Sequence, residues 1–383
     1  MSSTNQLGIT LDPILEGATG VPGVVAAVAS ADGVLYQGAA GLRDTASGAA
    51  MEKDTIFNIA SMTKPVTTVA CLQLVEQGRV VLDAPVSEYL PEFAGLQVLD
   101  HFDADDKMVL TPSPVQPTVR QLLTHTSGYV YEIWNENALK SVITGQVASF
   151  FESSDGLLAP LGFAPGSRWE YGIGIDIVGL IVEAVADKSL DVYIADHIFT
   201  PLGMPDTFYA VPENKLLRRA TVHVRTEGGY EPAPPRTDRV TGGGGLSSTI
   251  SDYVRFMRAL LNGGALDGVS ILEPGTVDMM FENQIGAVSV LPGSSSMPDF
   301  SNDFDMGFGG PAKWGLGFLL NAEPGGSGRA AGSGSWAGLF NSYFWIDRES
   351  DLCAVIATQL LPFYDTAAVA LLKQFEAGVY QSG

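Results

Sequence analysis

Cysteine is almost missing from this chain, with two residues, Cys71 and Cys353, in 383. Both lie in apolar runs, Val-Ala-Cys-Leu and Leu-Cys-Ala-Val, where a thiol packs as a small hydrophobe, so neither a disulfide framework nor a cysteine metal site is expected. Histidine is scarce as well. The four residues, His101, His125, His197 and His223, form no His-Glu-x-x-His pattern. No Gly-x-Ser-x-Gly elbow occurs either, which removes the usual zinc-hydrolase and Ser-His-Asp readings and leaves His125 as a structural hydrogen-bonder. Basic residues are few. Against 43 Asp plus Glu stand 21 Lys plus Arg, and the formal charge of −22 repels nucleic-acid phosphates and anionic membrane surfaces. No apolar run approaches the roughly 18 residues of a membrane span, and Met1-Ser-Ser-Thr-Asn-Gln lacks the basic and apolar regions of a signal peptide; a cytoplasmic location is the expectation. Gly242-Gly-Gly-Gly245 lacks the lysine and helix of a phosphate loop, so no cofactor or metal is expected.

What the chain does have is apolar content: 46% of it, enough to bury one large core or two lobes sharing an interface. Residues 22–42 read as a hairpin, because Val-Val-Ala-Ala-Val-Ala meets a turn at Ala31-Asp32-Gly33 and resumes with Val34-Leu35-Tyr36. Near the C-terminus, 313–321, 339–347 and 352–359 read as strands and 364–380 as a closing helix. The middle is mostly helical, with candidates at 62–77, 118–124, 136–151, 171–187, 190–199, 250–262 and 273–282. Three stretches, 100–117, 225–245 and 291–312, read as long loops of the kind that serve binding sites. The pattern is α/β (α+β), an antiparallel sheet drawn from both chain ends and flanked by helices. It forms one catalytic unit over 1–383, with an α/β lobe from 1–80 and 240–383 and a mostly helical lobe from 81–239.

The chemistry centres on Ile59-Ala60-Ser61-Met62-Thr63-Lys64-Pro65. A helix apolar nearly all round follows, through Val66, Val69, Ala70, Leu72, Leu74 and Val75, and such a helix is buried. Pro65 is tolerated in a first helical turn, so the helix begins close to Ser61 and presents its hydroxyl among unpaired backbone N–H groups. A spacing of three places Ser61 and Lys64 on one face. A serine hydroxyl needs a base, and a buried amine can supply one. Chance alone yields about 0.6 Ser-x-x-Lys pairs from 29 Ser and 8 Lys, so the reading depends on two further segments. These are Trp169-Glu170-Tyr171-Gly172-Ile173-Gly174-Ile175-Asp176, at a helix start, and Gly332-Ser-Gly-Ser335-Trp336-Ala337-Gly338-Leu-Phe340, small residues before a strand.

Ser-x-x-Lys, a tyrosine motif and a small-residue strand, in that order, resemble the serine β-lactamase and penicillin-binding-protein group. More narrowly, the chain is similar to the family VIII carboxylesterases, the esterase branch akin to class C β-lactamases and DD-peptidases. Gln121-Leu-Leu-Thr-His-Thr-Ser-Gly128, Gly243-Gly-Gly-Leu-Ser-Ser-Thr-Ile-Ser-Asp-Tyr253, Trp314-Gly-Leu-Gly-Phe318 and Gln359-Leu-Leu-Pro362 extend the likeness from about residue 20 to the C-terminus. The resemblance implies that Ser61 is acylated, that Lys64 or a Tyr171 phenolate takes its proton, and that Tyr171 shuttles a proton to the leaving group. It also implies an oxyanion site made by the Ser61 N–H and one from the Ser335-Trp336-Ala337 strand, with Trp336 favoured. Tyr129, Tyr131, Trp134, Phe151 and Ile173 are candidates for an acyl pocket, the aromatics among them serving equally well as ordinary core.

Two departures matter. Ile173 stands where the resembled group usually has Asn, and no lysine lies between Lys313 and Lys373 to supply its Lys-Thr-Gly cation. Both point toward neutral esters and away from lactams. The expected activity is therefore cleavage of short or medium acyl esters through an acyl-Ser61 intermediate, with a small-molecule ester as substrate and neither nucleic acid nor membrane as a partner. Acyl transfer, weak β-lactamase or peptidase action, and an inactive peptide- or acyl-binding relative are the alternatives. Oligomeric state is left open.

Overall fold

Seven consecutive small or apolar residues, Gly23-Val-Val-Ala-Ala-Val-Ala29, can be covered on both faces only in the middle of a sheet. The computed structural model, which describes residues 3–234 and 238–381, puts them there. Strand β1 (Gly23–Ala29) is buried at every position. It belongs to an eight-stranded sheet with β2 (Val34–Asp44), β3 (Ala49–Ala50), β4 (Ala312–Trp314), β5 (Leu319–Asn321), β6 (Gly334–Gly338), β7 (Ser342–Asp347) and β8 (Leu352–Ala357). The order is β4-β5-β6-β7-β8-β1-β2-β3, antiparallel throughout, so the two chain ends meet at its centre with Val25 opposite Ala357 and Ala29 opposite Cys353. The expected antiparallel sheet from both ends is present. Cys71 and Cys353 are buried free thiols.

Helices α1 (Ser3–Glu16), α2 (Thr63–Glu76), α3 (Gly174–Ala186), α4 (Ile250–Leu261) and α5 (Thr366–Gln381) do most of the covering. The first and last pack on each other and α1 on β2, while α4 lies on β1, β7 and β8. The α4 start is set by Thr249, whose side chain accepts the Asp252 N–H at 3.2 Å. No helix among the described residues is long and apolar enough to cross a membrane.

Several boundaries differ from the sequence expectation. Helix α1 was not expected, although Leu7, Leu11 and Leu15 recur every four residues and are buried. The strand expected at 313–321 is two, β4 and β5, because the chain reverses through Gly315, whose N–H donates to the Phe318 carbonyl at 3.0 Å. The strand expected at 339–347 is likewise the second arm of a hairpin whose first arm is β6. Helix 136–151 stops at Ile143, where Gly145 takes a left-handed φ of 69°. The loop expected at 100–117 is mostly a hairpin, Gln97–Phe102 with Met108–Pro112. Part of 225–245 pairs as His223–Thr226 with Gly229–Pro232, and its residues 235–237 lie outside the described residues.

The site is positioned by a second, short pairing. Ile56–Asn58 pairs antiparallel with Ser247–Thr249 and delivers the chain to a single 3-10 turn, Ala60–Met62, that runs into α2. Ala60 holds a positive φ of 44°, a conformation that a non-glycine residue keeps only when its surroundings enforce it. What enforces it is the end of β6. A Cβ placed on Gly338 would overlap the Ile59 carbonyl oxygen, so the strand approaches the turn as closely as a glycine permits. Gly338→Ala is expected to destabilise the protein by about 1–3 kcal/mol, as overpacking against backbone does, seen as a lower urea midpoint. An unchanged midpoint would mean that this contact does not hold the turn.

Candidate active site

Helix α2 carries Lys64 one turn from Ser61 and is buried at every position from Thr63 to Leu74. Lys64 has no exposed surface and donates from Nζ to Ser61 Oγ at 3.2 Å, Tyr131 Oη at 3.1 Å and the Gly243 carbonyl at 2.8 Å. Three acceptors match the three protons of an ammonium. The same geometry suits a neutral amine, which would donate to Tyr131 and Gly243 and accept the Ser61 hydroxyl on its lone pair. Both protonation states are therefore satisfied without moving an atom.

The counter-charge is Asp176, in the first turn of α3. It accepts the Gly243 N–H at 2.7 Å and the Tyr131 hydroxyl at 3.2 Å, so one tyrosine and one peptide separate it from the lysine. Burial pushes the Asp176 carboxyl up, against the pull of Lys64 and these hydrogen bonds. Burial, and then the Asp176 charge, pushes the Tyr131 phenol well up, keeping it a neutral donor.

Tyr171 sits beside the amine: Lys64 Nζ lies 4.8 Å from its ring centroid. Its hydroxyl accepts the Trp336 indole N–H at 3.2 Å. His125 packs edge-on against the Tyr171 ring with centroids 4.8 Å apart and takes the Gly172 N–H on Nδ1 at 3.3 Å. That is a structural hydrogen bond. Burial, and then the charge on Lys64, holds His125 well below the usual imidazole range.

The backbone of β6 corrects one expectation. The Gly338 carbonyl accepts the Asn341 N–H at 3.1 Å, so Gly338 faces β7, and by strand alternation Trp336 does too. The Trp336 N–H therefore points into the ladder and away from Ser61, and it is the indole of Trp336 that meets the site. Across a planar trans peptide, the Leu339 N–H points opposite to the Gly338 carbonyl. It faces the cleft that Leu339 shares with Ser61, and neither the Leu339 N–H nor the Ser61 N–H has an acceptor among the described residues. Ala337 lines that cleft. Ser335 lines neither opening at Ser61 and pairs with Leu319, its buried hydroxyl having no partner among the described residues.

Two openings meet at Ser61. A cavity of about 340 Å³ is lined by Tyr131, Ile133, Trp134, Phe150, Phe151 and Leu339, among others. A narrow cleft of about 20 Å³ holds Tyr171, Trp336 and Phe363. Trp134 borders both. Tyr129 and Ile173 do not. They line a separate cavity of about 40 Å³, because Tyr129 turns inward to pack edge-on against Phe93. Ile173, in place of Asn, thus removes a polar group from that cavity and not from the one at Ser61.

Sequence reasoning missed Asp176 and Leu339 as site residues and weighed Tyr131 only as an acyl-pocket aromatic, not as a partner of Lys64. Of the two missed residues only Asp176 left a signal: a carboxylate in the first turn of a largely apolar, buried helix has to be paired or hydrogen-bonded.

A family model described as Beta-lactamase matches residues 11–378. Lovastatin esterase of Penicillium rubens is 32% identical, the alignment covering 94% of each chain. Monacolin J acid methylbutanoyltransferase of Aspergillus terreus is 29% identical, over 86% of this chain and 83% of that one. Among solved structures, the LovD6 mutant of simvastatin synthase from Aspergillus terreus superposes with a TM-score of 0.85 at 28% identity, covering 98% of this chain and 97% of its own. The chain belongs to the beta-lactamase family.

His125 supplies a test of the buried network. As pH falls through the ordinary imidazole value near 6.5, the unfolded chain takes up a proton that folded His125 refuses. Its contribution is thus present above that pH and lost below it, at up to about 1.4 kcal/mol per pH unit. His125→Asn, which tolerates the residue's φ of 55°, is expected to flatten the loss of stability between pH 6.5 and 5 in urea titrations. Equal slopes would place the proton uptake elsewhere.

Proposed function

We propose that this beta-lactamase-family chain is a serine carboxylesterase that works through an acyl-Ser61 intermediate. The observation that carries the reading is the 3.2 Å contact between Ser61 Oγ and a fully buried Lys64, at the meeting point of two openings.

In acylation, Lys64 takes the Ser61 proton as Oγ attacks the ester carbonyl carbon. The amine is preferred over a Tyr171 phenolate because it alone is hydrogen-bonded to Ser61 in the free protein. The carbonyl oxygen becomes an oxyanion and accepts from the Ser61 and Leu339 N–H groups. Loss of one such donor costs about 3–4 kcal/mol of transition-state stabilisation. Collapse of the tetrahedral species breaks the bond to the alkoxide, which leaves with a proton from Tyr171, and the Lys64 ammonium makes good that proton. Water then attacks the acyl group, its proton returns to the Lys64–Tyr171 pair, and the acid departs as Ser61 is restored. The indole of Trp336 fixes the Tyr171 hydroxyl. No lysine stands on β6, which suits an ester over a lactam carboxylate.

An alcohol that reaches the acyl-enzyme before water would make the same protein an acyltransferase. The aromatic lining of the larger cavity favours that second reading by limiting water, and one relative of the chain is a methylbutanoyltransferase. Product analysis with a competing alcohol separates the two.

Ser61→Ala is expected to abolish covalent labelling by a phosphonate ester, read by intact mass, and to cut kcat/KM for p-nitrophenyl butyrate by at least about 10³-fold. Retained labelling would remove Ser61 from the mechanism. Within the glycine run, Gly242, Gly243 and Gly245 have no room for a Cβ, whereas one on Gly244 would meet only the Ala60 carbonyl carbon at 3.9 Å. Gly244 lines the larger cavity. Gly244→Val should fold normally and lower the hexanoate-to-acetate ratio of kcat/KM about tenfold by filling that space. A constant ratio would show that acyl chains lie elsewhere.

A further inference from the structure

Resting on the esterase reading, the two openings at Ser61 receive different halves of the substrate. The departing alkoxide has to meet a proton donor, and Tyr171 lines the narrow cleft and not the larger cavity. The alcohol therefore leaves through the cleft, and the acyl chain extends into the 340 Å³ cavity. A plain acyl chain has no use for a cation, yet two guanidiniums line its path.

Arg219 is matched, since its Nη2 donates to Asn58 Oδ1 at 2.7 Å and to Asp238 Oδ1 at 2.9 Å. Arg239 is not. Its Nη1 donates to the Phe150 and Phe151 carbonyls at 3.0 and 2.9 Å, and no carboxylate among the described residues lies within ion-pair distance. Asp176 feels its charge but spends both oxygens on Gly243 and Tyr131. The described lining thus carries two cations, Arg219 and Arg239, against one anion, Asp238, in a chain whose acids outnumber its bases 43 to 21. A half-buried guanidinium without an ion-pair partner, its Nε and Nη2 making no hydrogen bond among the described residues, is a planar fork suited to a carboxylate.

We infer that the acyl group accepted here ends in a carboxylate that docks on Arg239, so the substrates are half-esters of aliphatic dicarboxylic acids. The neutral-ester expectation drawn from the missing strand lysine applies to the Trp336 side of Ser61. The cation lines the other opening, and in hydrolysis the carboxylate is a spectator: water adds across the ester bond to give the diacid and the alcohol.

The test compares monoethyl succinate, glutarate and adipate with ethyl butanoate, pentanoate and hexanoate, in which a methyl replaces the carboxylate, by pH-stat titration. At low salt, at least one half-ester should exceed its neutral partner about tenfold in kcat/KM. That ratio should shrink severalfold in 0.5 M NaCl, where charges are screened, and fall about tenfold in Arg239→Gln. The ratio is read because loss of the Phe150–Phe151 contacts would slow both esters together. If the variant does not fold, the wild-type ratio and its salt dependence still decide. Neutral esters preferred at all three lengths, or a ratio that Arg239→Gln leaves unchanged, overturns the carboxylate inference and leaves the esterase reading standing. Turnover of neither class, with Ser61 unlabelled by phosphonate, overturns both.

Discussion

A lysine ammonium shut away from water has to be surrounded by acceptors and balanced by a charge, and the active-site region is organised around meeting that demand for Lys64. Gly243 supplies both sides of the solution: its carbonyl accepts from Lys64 and its N–H donates to Asp176. Tyr131 does the same with one hydroxyl. Two separate bridges thus connect cation to anion without direct contact, which leaves the third acceptor position on the amine for Ser61.

Much of this was legible in the sequence and some was not, for identifiable reasons. The Ser61–Lys64 relation follows from helical periodicity alone, since residues three apart on a continuous buried helix share a face. Tyr171 could be placed at a helix start by the apolar run beginning at Gly174. Tyr131, by contrast, sits in an irregular segment after Gly128, where no period says which way a side chain points. The oxyanion donor depends on strand parity, and a boundary displaced by a few residues changes which N–H faces the nucleophile. The expected strand at 339–347 ran through the hairpin turn, so that parity could not be read. Trp336 was thereby assigned a backbone role when its side chain has the contact.

The glycine run shows how one sequence feature can serve two purposes. At Gly242, Gly243 and Gly245 the missing side chain lets backbone pack on α3 and on the Arg239–Tyr209 region. At Gly244 it leaves volume empty. The same stretch therefore closes the polar network behind Lys64 and opens the space in front of Ser61.

The sheet's centre has a temporal meaning as well. Strand β1 leaves the ribosome long before one of its two neighbours, β8, which begins at Leu352. Until β8 has been synthesised, this wholly buried strand has one open edge and nothing to close it. The hairpin of β6 and β7 that supplies the Leu339 N–H is delivered equally late. Closure of the sheet and completion of the Ser61 site thus both wait on segments far downstream of β1, and a nascent chain released before β8 would expose a sticky β-edge while its Ser61 site was still incomplete.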